Sequence, residues 1–211
     1  MVAVFGIGSD MRISGTVIGA VAGVLLVGAI GGAALLYANP GRNDKAADLS
    51  RYAAGSLARL ETPGQAEPPP DHRFLTADGA STVLSDFRGR VVVVNLWAMW
   101  CAPCRTEMPT LARLAETYAG TDLTVLPINV DATPEAIEQA RDFIDAQAPL
   151  PFYSDPEFQL PFQLPGKGRM PQTVLLDRQG RIRAHLAGEA DWSGPEARAV
   201  VDTLLAEPPS A

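Results

Sequence analysis

Cysteine is nearly absent from this chain. The 211 residues hold two, Cys101 and Cys104. Histidine is as scarce, with His72 and His185 far apart. Structural zinc wants four ligands, usually as two Cys/His pairs, and no second pair exists here. A basic stripe is also missing. The 17 Lys and Arg are scattered and outnumbered by 24 Asp and Glu, for a net charge of −7. That balance excludes the usual electrostatic footprint of nucleic-acid binding. The lack of spare thiols fits an oxidising compartment, where extra cysteines risk mispairing. No internal repeat is visible. Charge is absent altogether from residues 13–37.

That uncharged stretch is rich in Gly and Ala. At ~1.5 Å per residue it is long enough to cross a bilayer as a helix. A removable signal peptide is the competing reading. Its apolar core is usually shorter, and Leu36-Tyr37-Ala38 places no small residue at the −3 position. The expectation is an uncleaved anchor over 13–37, preceded by a flank at 1–12. Arg12 marks the N-terminal side, offset by Asp10, while Arg42, Lys45 and Arg51 follow the span. A start at Met11 would leave Met11-Arg12 as a short positive lead. The expected orientation is N-terminus inside and domain outside the cytoplasm, chiefly on the redox argument. Gly15, Gly19 and Gly23 share one helix face, a spacing that lets two such helices approach.

Residues 38–70 read as a linker. Helical spacing over 44–60 suggests a short amphipathic helix. Thr62-Pro63-Gly64 and the run Pro68-Pro69-Pro70 then favour an extended, semi-rigid spacer. The domain is expected over 71–206, with a tail at 207–211. It opens with a hairpin through Asp78-Gly79. Residues 91–97 form a near-continuous apolar run, as in a strand buried on both faces. A helix over 102–119 follows, with Pro109 expected to kink it. The strand over 123–130 contains Pro127, which requires an outward-facing nitrogen or a bulge. Thr133-Pro134-Glu135 caps a helix to 147. Then come a short strand at 152–154 and a helix at 156–164. Strands at 171–177 and 182–187 are joined by Arg178-Gln179-Gly180, and a helix spans 195–206. This order implies an α/β fold with a mixed central sheet flanked by helices.

The cysteines sit at i and i+3 directly after the apolar strand, at the start of a helix. Two thiols there can close a small ring. The unpaired N–H groups and partial positive charge of a helix N-terminus favour a thiolate. The chemistry implied is dithiol–disulfide exchange. The plainer alternative is a pair of core cysteines, but Pro103 between them and Trp100 beside them suit an exposed motif. Glu107 lies one turn after Cys104 on the same helix face. On its residues alone it is an ordinary exposed glutamate of a second turn. If shielded, it would hold its proton to higher pH and exchange it with Cys104.

Residues 94–109 read Val-Asn-Leu-Trp-Ala-Met-Trp-Cys-Ala-Pro-Cys-Arg-Thr-Glu-Met-Pro. With Leu84-Ser85-Asp86-Phe87, Met170-Pro171-Gln172-Thr173 and Gly188-Glu189-Ala190-Asp191-Trp192, they resemble the thioredoxin-like fold, specifically its membrane-anchored TlpA branch, over about residues 74–206. The resemblance implies that Cys101 is the exposed nucleophile and Cys104 the buried resolving thiol. It implies a cis peptide between Met170 and Pro171, lying against the cysteines, in a loop that receives a substrate strand flanked by Trp100 and Pro103. It also implies a buried acid at Glu107. Asn95 stands where thioredoxin has a buried Asp, so one proton relay is missing. Arg169 stands where many relatives have Gly, and Lys167 and Arg169 are candidates to meet an acidic partner.

The implied activity is that of a protein thiol–disulfide oxidoreductase with no cofactor beyond its redox-active disulfide. The expected setting is the periplasmic side of a bacterial inner membrane. The expected partners are protein disulfides of copper-delivery or cytochrome oxidase assembly proteins, with electrons from a membrane-embedded thiol donor. Reduction of apocytochrome c in cytochrome c maturation is the runner-up, and Gln172, where that branch usually has Glu, argues mildly against it. From another class, a Sco-like copper chaperone would use the two cysteines and a positioned His, for which His185 is the candidate.

Overall fold

The computed structural model describes residues 47–208. The anchor, its glycine face and the start of the linker lie outside them. Among the described residues, no helix is long and apolar enough to cross a membrane.

Seven strands form one sheet in the order β2-β1-β5-β4-β3-β6-β7. They are β1 (Phe74–Thr76), β2 (Ser81–Thr82), β3 (Val91–Trp97), β4 (Leu123–Asn129), β5 (Tyr153–Ser154), β6 (Gln172–Leu176) and β7 (Ile182–Ala187). The helices are α1 (Ala102–Thr117), α2 (Pro134–Asp145), α3 (Leu160–Gln163) and α4 (Pro195–Ala206). The ladders β3/β4 and β4/β5 are parallel; the others are antiparallel. The thioredoxin-like α/β expectation therefore holds. The helix expected over 156–164 shrinks to α3, because Pro156 to Gln159 form a turn gripped by Asp155, whose Oδ2 accepts from Gln159 N and Leu160 N at 3.0 and 2.8 Å.

β3 organises the core. Alternate side chains of a strand face opposite sides. Val91, Val93 and Trp97 join one apolar cluster with Leu111 and Leu114 of α1 and Val200, Val201 and Leu204 of α4. Val92, Val94 and Leu96 join the other, with Phe74, Leu84, Leu160 and Leu164. The same parity puts Asn95 on the α1 side.

Pro127 sits in β4 without a bulge, paired with Asn95 in an unbroken register. Val130 N donates to Trp97 O, and bonds to β3 alternate along a parallel strand. Pro127 nitrogen therefore faces the β5 side, where pairing begins only at Ile128. No ladder bond is lost. Pro109 lies inside α1, which continues through it to Thr117. Thr133 caps α2, its hydroxyl accepting from Ala136 N at 3.3 Å.

The stalk expected over 38–70 is corrected for residues 47–70, which pack on the domain instead. Residues 50–52 and 55–57 form single 3₁₀ turns rather than an amphipathic helix. Leu49, Leu57 and Leu60 are buried in the α1/α4 cluster. Glu61 and Glu67 make bridges to His185 and Ile182 on β7. The segment between those two bridges, which holds Pro63, lies along the edge strand β7. The ends are tied together: Ala47 O accepts from Arg183 Nη2 at 2.9 Å, and Ala47 N donates to Glu207 at 3.1 Å. The domain's inner boundary is thus near residue 46, not 71.

Candidate active site

β3 ends at Trp97 and α1 begins at Ala102, so residues 98–101 form a short turn between a buried strand and a helix N-terminus. Cys101 is the N-cap, and its carbonyl accepts from Arg105 N at 3.2 Å. Pro103 lies in the first turn, where a missing N–H costs nothing. Cys101 and Cys104 are disulfide-bonded, with Cα atoms 5.3 Å apart. Cys104 is fully buried and Cys101 is 5% exposed. Cys101 is the less buried of the two, but it is not openly exposed as a nucleophile was expected to be. Its side chain belongs to the α1/α4 cluster. The exposed neighbour is Trp100, at 62%.

The turn is held by residues that sequence reasoning missed. Asp131, just beyond β4, is buried. Its Oδ2 accepts from Met99 N and from Asn129 Nδ2, each at 2.8 Å. Asn129 Oδ1 accepts from Asp131 N at 3.1 Å. On the outer side, Arg105 Nη1 donates to Met99 O at 2.7 Å. Both backbone groups of Met99 are thus fixed. The available signal was an Asn-x-Asp pattern closing the strand beside β3.

Glu107 is 1% exposed on the buried face of α1. Its Oε1 accepts from Asn95 Nδ2 at 2.8 Å. Its Oε2 accepts from Ala190 N at 3.1 Å and Trp192 Nε1 at 3.2 Å. Burial is the largest influence and raises the carboxyl from 4.5 to about 7; the three donors oppose it, and nearby Glu189 adds to the rise. Asn95, which cannot itself titrate, is a direct partner of the Glu107 carboxyl. Its other amide hydrogen goes to Thr173 Oγ1 at 2.9 Å, and Thr173 is its register neighbour on β6. Asn95 Oδ1 is buried without a partner, so what the amide donates to sets its orientation. A cleft of about 460 Å³ open at the surface has Glu107 in its lining, with Ser56, Arg59, Thr106, Thr110 and Ala190. Trp192 was noticed only as part of a motif; its contact comes from the fold.

The Met170–Pro171 peptide is cis. Gln172 pairs with Leu96, so Pro171 lies level with the end of β3, beside the cysteine turn. Pro171 O accepts from Gly188 N at 2.7 Å. Met170 packs against both core clusters. Gln172 is buried, its Oε1 accepting from Gly166 N at 3.0 Å and its Nε2 donating to Pro161 O at 2.9 Å. His185, the candidate third copper ligand, faces Glu61 at 3.6 Å. Among the described residues, no three His, Cys, Asp or Glu side chains are grouped to hold a metal.

Comparison with known proteins gives a match to the Redoxin family model over residues 63–205. Thioredoxin-like protein YneN of Bacillus subtilis is 31% identical over 122 residues, 54% of this chain and 66% of that protein. Thiol-disulfide oxidoreductase ResA of Oceanobacillus iheyensis is 30% identical over 111 residues, 53% of this chain and 56% of that protein. The match thus spans less than two thirds of each of these curated relatives. Among solved structures, a secreted thiol-disulfide isomerase from Corynebacterium glutamicum is 32% identical with a TM-score of 0.56, over 70% of this chain and 90% of that one.

Proposed function

Since the chain belongs to the Redoxin family, we propose that it is a protein thiol–disulfide oxidoreductase, anchored by residues 13–37 with its domain outside the cytoplasm. The observation that carries the activity is the Cys101–Cys104 bond at the N-cap of α1. The reduced form is the working reductant. The Cys101 thiolate, favoured by the helix N-terminus, attacks one sulfur of a partner's disulfide. A Cys101–partner bond forms, and the partner's other sulfur leaves as a thiolate. Cys104 then loses its proton and attacks Cys101 Sγ. The internal disulfide closes, and the partner leaves with both its sulfurs reduced. Two electrons have moved from the chain to the partner, and a membrane-embedded thiol donor restores them.

Glu107 is the proton store for the buried thiol. It follows Cys104 by one turn, and a group ionising near 7 can take and return a proton at neutral pH. The cleft that Glu107 helps to line would let that proton exchange with water.

The charge-free stretch and the secreted relative from Corynebacterium glutamicum support the placement outside the cytoplasm. Copper-delivery or oxidase assembly proteins are the partners we favour, on the TlpA-like motifs. One observation restores the second reading, apocytochrome c. Gln172 is occupied in bracing the 161–166 loop, so its difference from Glu bears on loop support rather than on partner choice.

The test is the Cys104→Ser full chain, reduced and returned to its native membrane. It should accumulate a covalent adduct that reductant dissolves, because the mixed disulfide is no longer resolved. A chain that forms no adduct, while wild type also fails to reduce insulin disulfides, would refute the activity.

A further inference from the structure

Two large apolar side chains are openly exposed among the described residues, Trp100 at 62% and Phe162 at 59%. They are not scattered. Phe158 joins them edge-on, its ring centroid 6.3 Å from Trp100 and 5.4 Å from Phe162. Phe158 takes a left-handed φ of 55°, which a non-glycine residue adopts at a cost. The turn that imposes it is bonded: Phe158 N donates to Asp155 O at 3.0 Å, and His72 holds Asp155 at 3.0 Å. Phe162 in turn covers Gly168 of the loop leading to Pro171; a Cβ there would lie 2.7 Å from its ring. The three rings therefore extend from the cysteine turn to the cis-proline loop. No chemistry proposed above uses Phe158 or Phe162. The stretch 157–170 exposes two cations, Lys167 and Arg169, against one acid, Glu157, in a chain of net charge −7.

We propose that this aromatic row is a docking surface for the segment of a partner protein that carries the target cysteine, and that it selects a large apolar side chain beside that cysteine together with nearby acidic residues. The inference rests on the redox reading and deepens it. Cys101 is nearly covered while Trp100, its chain neighbour, is open, so the ring of Trp100 offers a surface beside the sulfur on which an incoming segment can rest. A segment lying there continues over Phe158 and Phe162. Aromatic faces offset against apolar groups supply the attraction, and the loop cations bias it toward acidic flanks.

The experiment uses the full chain in detergent, reduced and freed of reductant. Two synthetic peptides each carry one cysteine as a mixed disulfide with mercaptoethanol. One flanks it with Phe and Glu, the other with Ser and Lys. In the reaction Cys101 bonds to the peptide sulfur, mercaptoethanol leaves, and Cys104 closes the internal disulfide and frees the peptide thiol. Oxidation of the chain is followed by alkylation and intact mass. Wild type should prefer the Phe/Glu peptide by about tenfold, the ratio one well-placed contact yields. Phe162→Ala should bring that ratio close to one, and Arg169→Glu should lower it, as added salt should in wild type. A ratio near one in wild type, or one unchanged by Phe162→Ala, overturns the proposal. So does a chain that self-associates through the patch, its dimer dissolved by Phe162→Ala, with no peptide preference. Failure of wild type to react even with plain hydroxyethyl disulfide points instead to the redox reading.

Discussion

Glu107 is a carboxyl group that folding has removed from water. In an unfolded chain it ionises near 4.5; in the folded domain it keeps its proton to about 7. Between those values the folded state binds the extra proton, so the contribution of Glu107 to stability is fully present below pH 4.5 and declines as the pH rises to about 7. A shift of this size amounts to roughly 3 kcal/mol, fully lost above the folded value. Glu107→Gln should flatten that slope, seen as urea midpoints that no longer fall across the window. In exchange assays the same variant should lose the inflection near neutrality and slow by about a hundredfold, the usual scale of a general acid–base. The residue itself was legible as a helix-face neighbour of Cys104. Its depth was not, because Ala190 and Trp192 are more than eighty positions away and reach it only in the folded domain.

Helices and strands here act by parity and by termini. β3 sends Val91, Val93 and Trp97 to one core and Val92, Val94 and Leu96 to the other, and that alternation delivers Asn95 to Glu107. α1 begins where the cysteines are, so its first turn supplies the field and its second supplies the acid. The turn between them depends on Asp131 at the end of β4. Asp131→Ala would leave Met99 N–H without its acceptor and should destabilise the domain by roughly 2–3 kcal/mol. Amide exchange should accelerate at Met99 while the strand interior stays protected. An unchanged Met99 amide would show that the turn is held by other means. Strand and helix positions were readable from periodicity and caps, down to the Thr133 start of α2 and the 195–206 helix. α3 was read too long because the turn that Asp155 holds delays its start to Leu160.

At the scale of the molecule, the surprise is the N-terminal strap. Prolines and a mixed composition read as a spacer, yet Leu49, Leu57 and Leu60 complete the α1/α4 core and Arg183 ties Ala47 to the C-terminal Glu207. Each of those leucines contributes about 1.5–3 kcal/mol when fully buried. A chain cut to begin at residue 71 should therefore unfold or aggregate, while one beginning at 46 should melt cooperatively. Thermal unfolding of the two decides it, and equal midpoints would return residues 47–70 to the role of a stalk. Composition could not distinguish the cases, since an extended proline segment looks the same along a sheet edge as in solvent.

By itself the sequence determined the chemistry: two thiols three apart, behind an apolar strand and at a helix start, are a local arrangement that needs no distant residue. It determined the α/β order for the same reason, since periodicities and caps act over a few neighbours. Only the tertiary structure decided how deeply Glu107 is buried, what holds Met99, which rings flank Trp100 and where the domain begins. Those depend on contacts between segments far apart in the chain, and burial is a property of the packed whole.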